Sequence, residues 1–173
     1  MMTTPPDRAR RFAFALAVAA GVILVDQVSK ALAITKLVEG TRIPVFGNAF
    51  GLQLAFNPGA VLSIGSGATW LFTALGTVAV VLLGYAATRT RNMGWAAGIG
   101  LILGGAVGNL IDRVFAPPSF GKGLVTDFLA YGNVFIGNLA DVALGAGVVL
   151  IAILLWHERR TRGDSSARAN DGG

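Results

Sequence analysis

Four stretches of this chain are long and apolar enough to cross a lipid bilayer, and that limits the possible folds more than any other feature. They run roughly from Phe12 to Ile34, Thr69 to Ala87, Trp95 to Ile111 and Asn138 to Trp156. Crossing the hydrocarbon core takes about 20 residues of helix, and a helix satisfies its backbone hydrogen bonds internally, as lipid requires. The expected fold is an all-α membrane protein, a four-helix domain over residues 12–156 with a leader (1–11) and a disordered tail (157–173). The first apolar run imitates a secretory signal, but it continues well past Ala19-Ala20-Gly21 and carries polar residues, so a retained helix is expected.

The basic residues set an orientation. Arg8, Arg10 and Arg11 precede the first helix, Arg89 and Arg91 separate the second and third, and Arg159, Arg160, Arg162 and Arg168 follow the fourth. These fall on one side of a four-span bundle, opposite Lys30, Lys36, Arg42, Arg113 and Lys122. The excess predicts cytoplasmic termini. The net charge of +5 is accounted for by topology and contact with membrane lipids, so no nucleic-acid partner is expected.

The chain has no cysteine and one histidine, His157, in the basic run after the last helix. Disulfides, thiolate catalysis, a serine-histidine-aspartate triad and histidine-rich metal sites are poorly supported. Carboxylates are what remains for proton transfer near neutral pH.

Polar residues interrupt the apolar pattern at a few places, and ionisable groups at membrane depth are costly enough to mark function. Asp26-Gln27-Val28-Ser29-Lys30 lies in the first helix. At 1.5 Å per residue from Phe12, Asp26 is about 21 Å across. Asp26 and Lys30, four apart, share a face and can pair. The third helix ends in Gly104-Gly105-Ala106-Val107-Gly108-Asn109-Leu110-Ile111-Asp112-Arg113. Its glycines suit close helix packing in lipid.

Two connections complete the pattern. Residues 35–66 contain short apolar runs, Ile43 to Phe46 and Phe50 to Phe56, broken by Gly and Asn. They predict a small extracytoplasmic β-rich cradle between helices 1 and 2, ending in the turn Asn57-Pro58-Gly59-Ala60. After the breaker-rich loop 116–123 comes Leu124-Val125-Thr126-Asp127-Phe128-Leu129, where apolar flanks suggest that Asp127 dips into the membrane boundary and has a raised pKa. Asn138 caps the fourth helix, with Asp141 in its first turn. Asp112, Asp127 and Asp141 are thus expected at one outer boundary.

Two close carboxylates that share one proton can activate water with one group while the other donates to a carbonyl, the chemistry of aspartic peptidases. It needs no metal and no cofactor. The amides of Asn57, Asn109 and Asn138 and the cations Lys30 and Arg113 would orient the acids or hold a substrate carbonyl. An ion or proton-coupled transporter is the alternative; it predicts polar residues through the whole depth of the helices. A non-catalytic scaffold held by buried polar pairs is a third reading.

The motifs Asp26-x-x-Ser29-Lys30, Asn57-x-Gly59-Ala60, Gly104 to Arg113, Val125-Thr126-Asp127-Phe128 and Asn138-Leu139-Ala140-Asp141 occur in that order. With them, the chain from Phe12 to Trp156 resembles signal peptidase II, the lipoprotein signal peptidase family of bacteria. The resemblance implies a plasma-membrane aspartic endopeptidase, active near the outer leaflet. Its substrates would be diacylglyceryl-modified prolipoproteins, cut just before the lipidated cysteine; a monomer is expected. Carried onto this sequence, it makes Asp127 and Asp141 the catalytic aspartates, with Asp26, Lys30, Asn57, Gly59, Asn109, Asp112, Arg113 and Asn138 as substrate-binding or supporting positions. On spacing alone Asp112 could instead partner Asp141. Asp127 is preferred because Asp112 adjoins Arg113 and can be neutralised by nearby cations. Leu62 stands where the family often has an aromatic residue, and Ile136-Gly137 where Phe often precedes the asparagine.

Overall fold

The computed structural model describes residues 5–59 and 69–170. The elements are α1 (Pro5–Lys36), β1 (Arg42–Phe46), β2 (Phe50–Asn57), α2 (Thr69–Ala87), α3 (Met93–Phe115), β3 (Val125–Tyr131), β4 (Phe135–Gly137) and α4 (Leu139–Asn170). Among the described residues, four helices are long and apolar enough to cross a membrane. Large apolar side chains such as Leu24, Leu75, Val81 and Val149 are exposed on them, as lipid-facing surfaces should be. The part of the Asn57 motif beyond Gly59, including Ala60 and Leu62, lies outside the described residues.

Helix bounds differ from expectation at both termini. The segment read as a leader is helical from Pro5, and α4 continues to Asn170 through most of the segment read as a disordered tail. Proline fits the first turn of a helix, and the Arg and Ala residues that follow it, like the Glu, Arg and Ala residues after Trp156, favour helix once a long apolar segment has nucleated it.

The cradle draws on both long connections, where the sequence suggests only the first. The sheet has the order β1-β2-β3-β4, every neighbouring pair antiparallel. Hairpins turn at Gly47 (φ 53°) and Gly132 (φ 55°), left-handed positions that glycine takes without strain. The central pairing of β2 with β3 sets Ala55 opposite Asp127 and Asn57 opposite Val125. Strand β3 escapes sequence reading because all residues from Val125 to Ala130 are buried, so no in-out alternation marks it.

Helix α3 is the centre of the bundle, packed against α1, α2 and α4. Its glycines permit this. A Cβ on Gly104 would meet the Ala19 carbonyl oxygen at 2.8 Å, and one on Gly105 would meet the Ala140 carbonyl oxygen at 2.5 Å and Leu144 Cγ at 2.8 Å. Backbone cannot yield as a flexible side chain can. Gly105→Ala is therefore expected to destabilise the protein by about 1–3 kcal/mol by forcing α4 away from α3. Gly84→Ala on α2, where nothing lies within 4 Å, should be neutral or slightly stabilising. Thermal unfolding in detergent compares the two; equal melting temperatures would refute the close-packing account.

Candidate active site

The end of the bundle that carries the sheet gathers the polar residues of α1, β2, α3, β3 and α4. Asp127, on β3, is 2% exposed. Its Oδ1 accepts a hydrogen bond from Asn138 Nδ2 at 2.6 Å and its Oδ2 one from Asn57 Nδ2 at 3.1 Å. Asp141, on α4, is exposed. Its Oδ1 accepts from Asn109 Nδ2 at 2.9 Å, and its Oδ2 accepts from the Asn138 backbone N–H at 3.2 Å. Asn138 Oδ1 in return accepts from the Asp141 N–H at 3.1 Å. This reciprocal box satisfies amides that the start of α4 would otherwise leave unpaired.

Asn138 therefore touches both acids, Asp127 through its amide nitrogen and Asp141 through its backbone and its amide oxygen. It also donates to Asn109 Oδ1 at 3.1 Å, which closes a ring of amides around the pair. A cavity of about 410 Å³ opens onto them, with Asn57, Asn109, Arg113 and Asn138 on its polar side and Val125, Phe135, Ile136 and Leu144 on its apolar side. Burial pushes the Asp127 carboxyl up from 3.8 to about 6; the Asn138 and Asn57 amides oppose this, and Asp141 adds to it.

The cations occupy different positions from those their sequence neighbours suggest. Among the described residues Arg113 forms no direct ion pair with the adjacent Asp112, although the two charges attract. Its guanidinium donates to the carbonyl oxygens of Gly59 and Pro58 and stacks over Phe72 at 5.4 Å. It thereby pins the turn that carries Asn57, whose Oδ1 accepts from the Gly59 N–H at 3.0 Å. The partner of Asp112 is Lys30, at 3.0 Å, which also pairs with Asp26 at 2.8 Å as the i,i+4 spacing anticipates. Lys30 further donates to Asn109 Oδ1 at 3.0 Å.

All ten residues singled out from the sequence thus meet in one connected cluster. Others were not anticipated. Gln27, inside the Asp26 motif, bridges Asp26, the Gly108 carbonyl and Asp112 at 3.1–3.2 Å; a polar amide beside Asp26 in an otherwise apolar helix was the available signal. Phe135 and Leu144 line the cavity without any local signal, since apolar residues on a strand or an apolar helix look alike in sequence.

Comparison with known proteins gives concordant results. The family model described as Signal peptidase (SPase) II matches residues 18–157. The lipoprotein signal peptidase of Bifidobacterium longum (strain DJO10A) is 45% identical over 159 residues, covering 91% of this chain and 87% of that protein. That of Mycobacterium avium (strain 104) is 40% identical over 153 residues, covering 88% and 84%. A solved chain described as a bacterial membrane enzyme, determined by the in meso method at 2.3 Å resolution, superposes with a TM-score of 0.74. It is 30% identical and covers 84% of this chain and 88% of its own.

Proposed function

Because the chain belongs to the signal peptidase II family and is a peptidase, we propose that it removes the signal peptide from diacylglyceryl-modified bacterial prolipoproteins, with Asp127 and Asp141 as an aspartic dyad. The observation that carries this reading is the two acids held by one asparagine at the edge of a half-apolar cavity. Asp141, exposed at the cavity, takes a proton from the attacking water as the general base. Asp127, buried and with a raised pKa, holds the dyad's proton and donates it to the carbonyl oxygen of the scissile peptide. The tetrahedral intermediate collapses when the amine leaves with a proton returned from the dyad. Asn57, Asn109 and Asn138 hold the acids throughout.

The apolar wall formed by Phe135, Ile136 and Leu144 suits the side chains beside the cleavage point, while the acyl chains remain among membrane lipids. Cleavage falls just before the lipidated cysteine. Family membership supports a place in the bacterial plasma membrane, and the arginine distribution supports cytoplasmic termini with the sheet at the outer face. One chain supplies every group the proposed reaction uses, which supports a monomer as the active form.

The test is cleavage of a diacylglyceryl-modified precursor peptide by the purified protein in detergent, followed by mass spectrometry. A single cut before the modified cysteine is expected, with no measurable cutting of the unmodified peptide; an intact modified peptide would sink the proposal. The pH profile adds a second reading. Asp127 must be protonated to donate, so kcat/KM, which reports the free enzyme, should fall as pH rises through about 6. Bound substrate withdraws Asp127 further from water, so the alkaline limb of kcat should lie higher.

A further inference from the structure

Beside the two acids lie three more charges that the chemistry above does not use. Asp26 is fully buried, and Lys30 and Asp112 nearly so. Such a cluster is expensive in free energy, and apolar residues of similar volume usually stabilise a fold as well or better. Its contacts suggest another purpose. Lys30 Nζ joins the two carboxylates, and Gln27 Nε2 bridges them at 3.1 Å and 3.2 Å. Each carboxylate then makes one bond out of the cluster. Asp26 Oδ1 accepts the backbone N–H of Ala140 at 3.0 Å, and Asp112 Oδ2 accepts the backbone N–H of Thr126 at 3.0 Å. Ala140 immediately precedes Asp141, and Thr126 immediately precedes Asp127.

We propose that Asp26, Lys30 and Asp112 are positioning residues: one ion-paired brace that sets the separation of Asp127 and Asp141 by holding the peptide N–H before each. The inference rests on the dyad reading above. The Ala140 amide is one of the unpaired donors at the start of α4, and Asn138 Oδ1 is already engaged with the Asp141 N–H, so α1 supplies the missing acceptor. The Thr126 amide lies at the start of a strand that could otherwise shift along its neighbours. Both bonds are charge-assisted and therefore stronger than neutral ones. Lys30 links them, so strand and helix are referred to one point.

The test compares Asp→Asn with Asp→Glu at positions 26 and 112 in the full-length protein, reading kcat and KM with the modified precursor peptide and normalising to folded protein. Asparagine keeps an oxygen for the backbone N–H without the charge, at the loss of the bond its other oxygen accepts from Gln27; glutamate keeps the charge but displaces the acceptor by a methylene. A brace predicts that the Asn variants keep kcat within about tenfold while the Glu variants lose about 10²-fold, the scale of a 1 Å misplacement, with KM nearly constant. The reverse order, or wild-type kcat in all four, overturns the proposal. Selective 15N labelling gives a reading that needs no Glu variant. The Thr126 amide proton should move upfield in Asp112→Asn and that of Ala140 in Asp26→Asn, as a charged acceptor becomes neutral; unmoved resonances overturn it too. Asp127→Asn and Asp141→Asn run alongside: if these still cleave, the dyad reading fails, whereas dead dyad variants with unaffected Glu variants reject the brace alone.

Discussion

Asp127→Asn and Asp141→Asn should each lower kcat by about 10³-fold or more while leaving the protein folded, which makes this the largest functional effect expected of any single change. The loss follows from removing either half of a proton relay, a contribution worth about 10²–10⁴-fold for one group. Both acids go when either does, because an amide can neither accept the proton of water nor return one to the leaving amine. Folding should survive for a specific reason at Asp127. Its pKa is raised in the folded protein, to about 6 from 3.8, so the native state binds more protons than the unfolded state between those values. Stability therefore falls as pH rises through that window, and above it the folded protein carries the full burden of a buried carboxylate. The Asn variant does not carry that burden, which offsets the one hydrogen bond lost where its NH2 faces the amide of Asn57 or Asn138, so its loss of activity at pH 7 to 8 should come with only a small change in melting temperature. A variant that melts early and recovers activity on refolding at low temperature would assign Asp127 a scaffold role. Substantial cleavage by a fully folded Asp127→Asn, with Asp112→Asn dead, would move the dyad to Asp112.

Lys30→Met should produce the largest effect on stability, on the order of 3–5 kcal/mol, since it leaves two carboxylates in the interior without their cation. The side chain is nearly as long and apolar, so the loss is electrostatic rather than steric. Neutralising the acids as well, in Lys30→Met/Asp26→Asn/Asp112→Asn, should regain most of the melting temperature, because the three positions act as a unit and their effects do not add. Thermal unfolding in detergent followed by tryptophan fluorescence reads both. If Lys30→Met melts like the wild type, the buried pairs contribute nothing; if the triple variant melts lower than the single one, the carboxylates stabilise through contacts other than Lys30.

Much of this was legible in the chain because lipid imposes strong rules on sequence. A stretch of about 20 apolar residues has few alternatives to a spanning helix, so the four helices could be read directly, as could the i,i+4 pairing of Asp26 with Lys30. Asn138 and Asp141 could be read as a helix start because capping is local: residues three apart reach each other whatever the rest of the fold does. The hairpin of β1 and β2 was also legible, since Gly47-Asn48 punctuates two short apolar runs.

What local pattern could not supply was who meets whom across the bundle. Strand β3 is buried along nearly its whole length, so its residues carry no alternation, and only pairing with β2 makes it a strand. The neighbour of Asp112 along the chain is Arg113, yet its ion-pair partner is Lys30, because successive residues on a helix point about 100° apart while Lys30 faces it from α1. Likewise spacing alone leaves both Asp112 and Asp127 open as partners of Asp141, and only the basic neighbour of Asp112 favours Asp127. The tertiary structure separates them: Asp112 is turned to a lysine and a backbone amide, and Asp127 faces the cavity with Asp141. The sequence by itself determined the four spans, the cap of α4 and most of the polar residues of the site, since these depend on hydrophobic burial and on neighbours within one turn. Only the tertiary structure decided which of those residues touch, since contacts between distant segments depend on how whole surfaces pack.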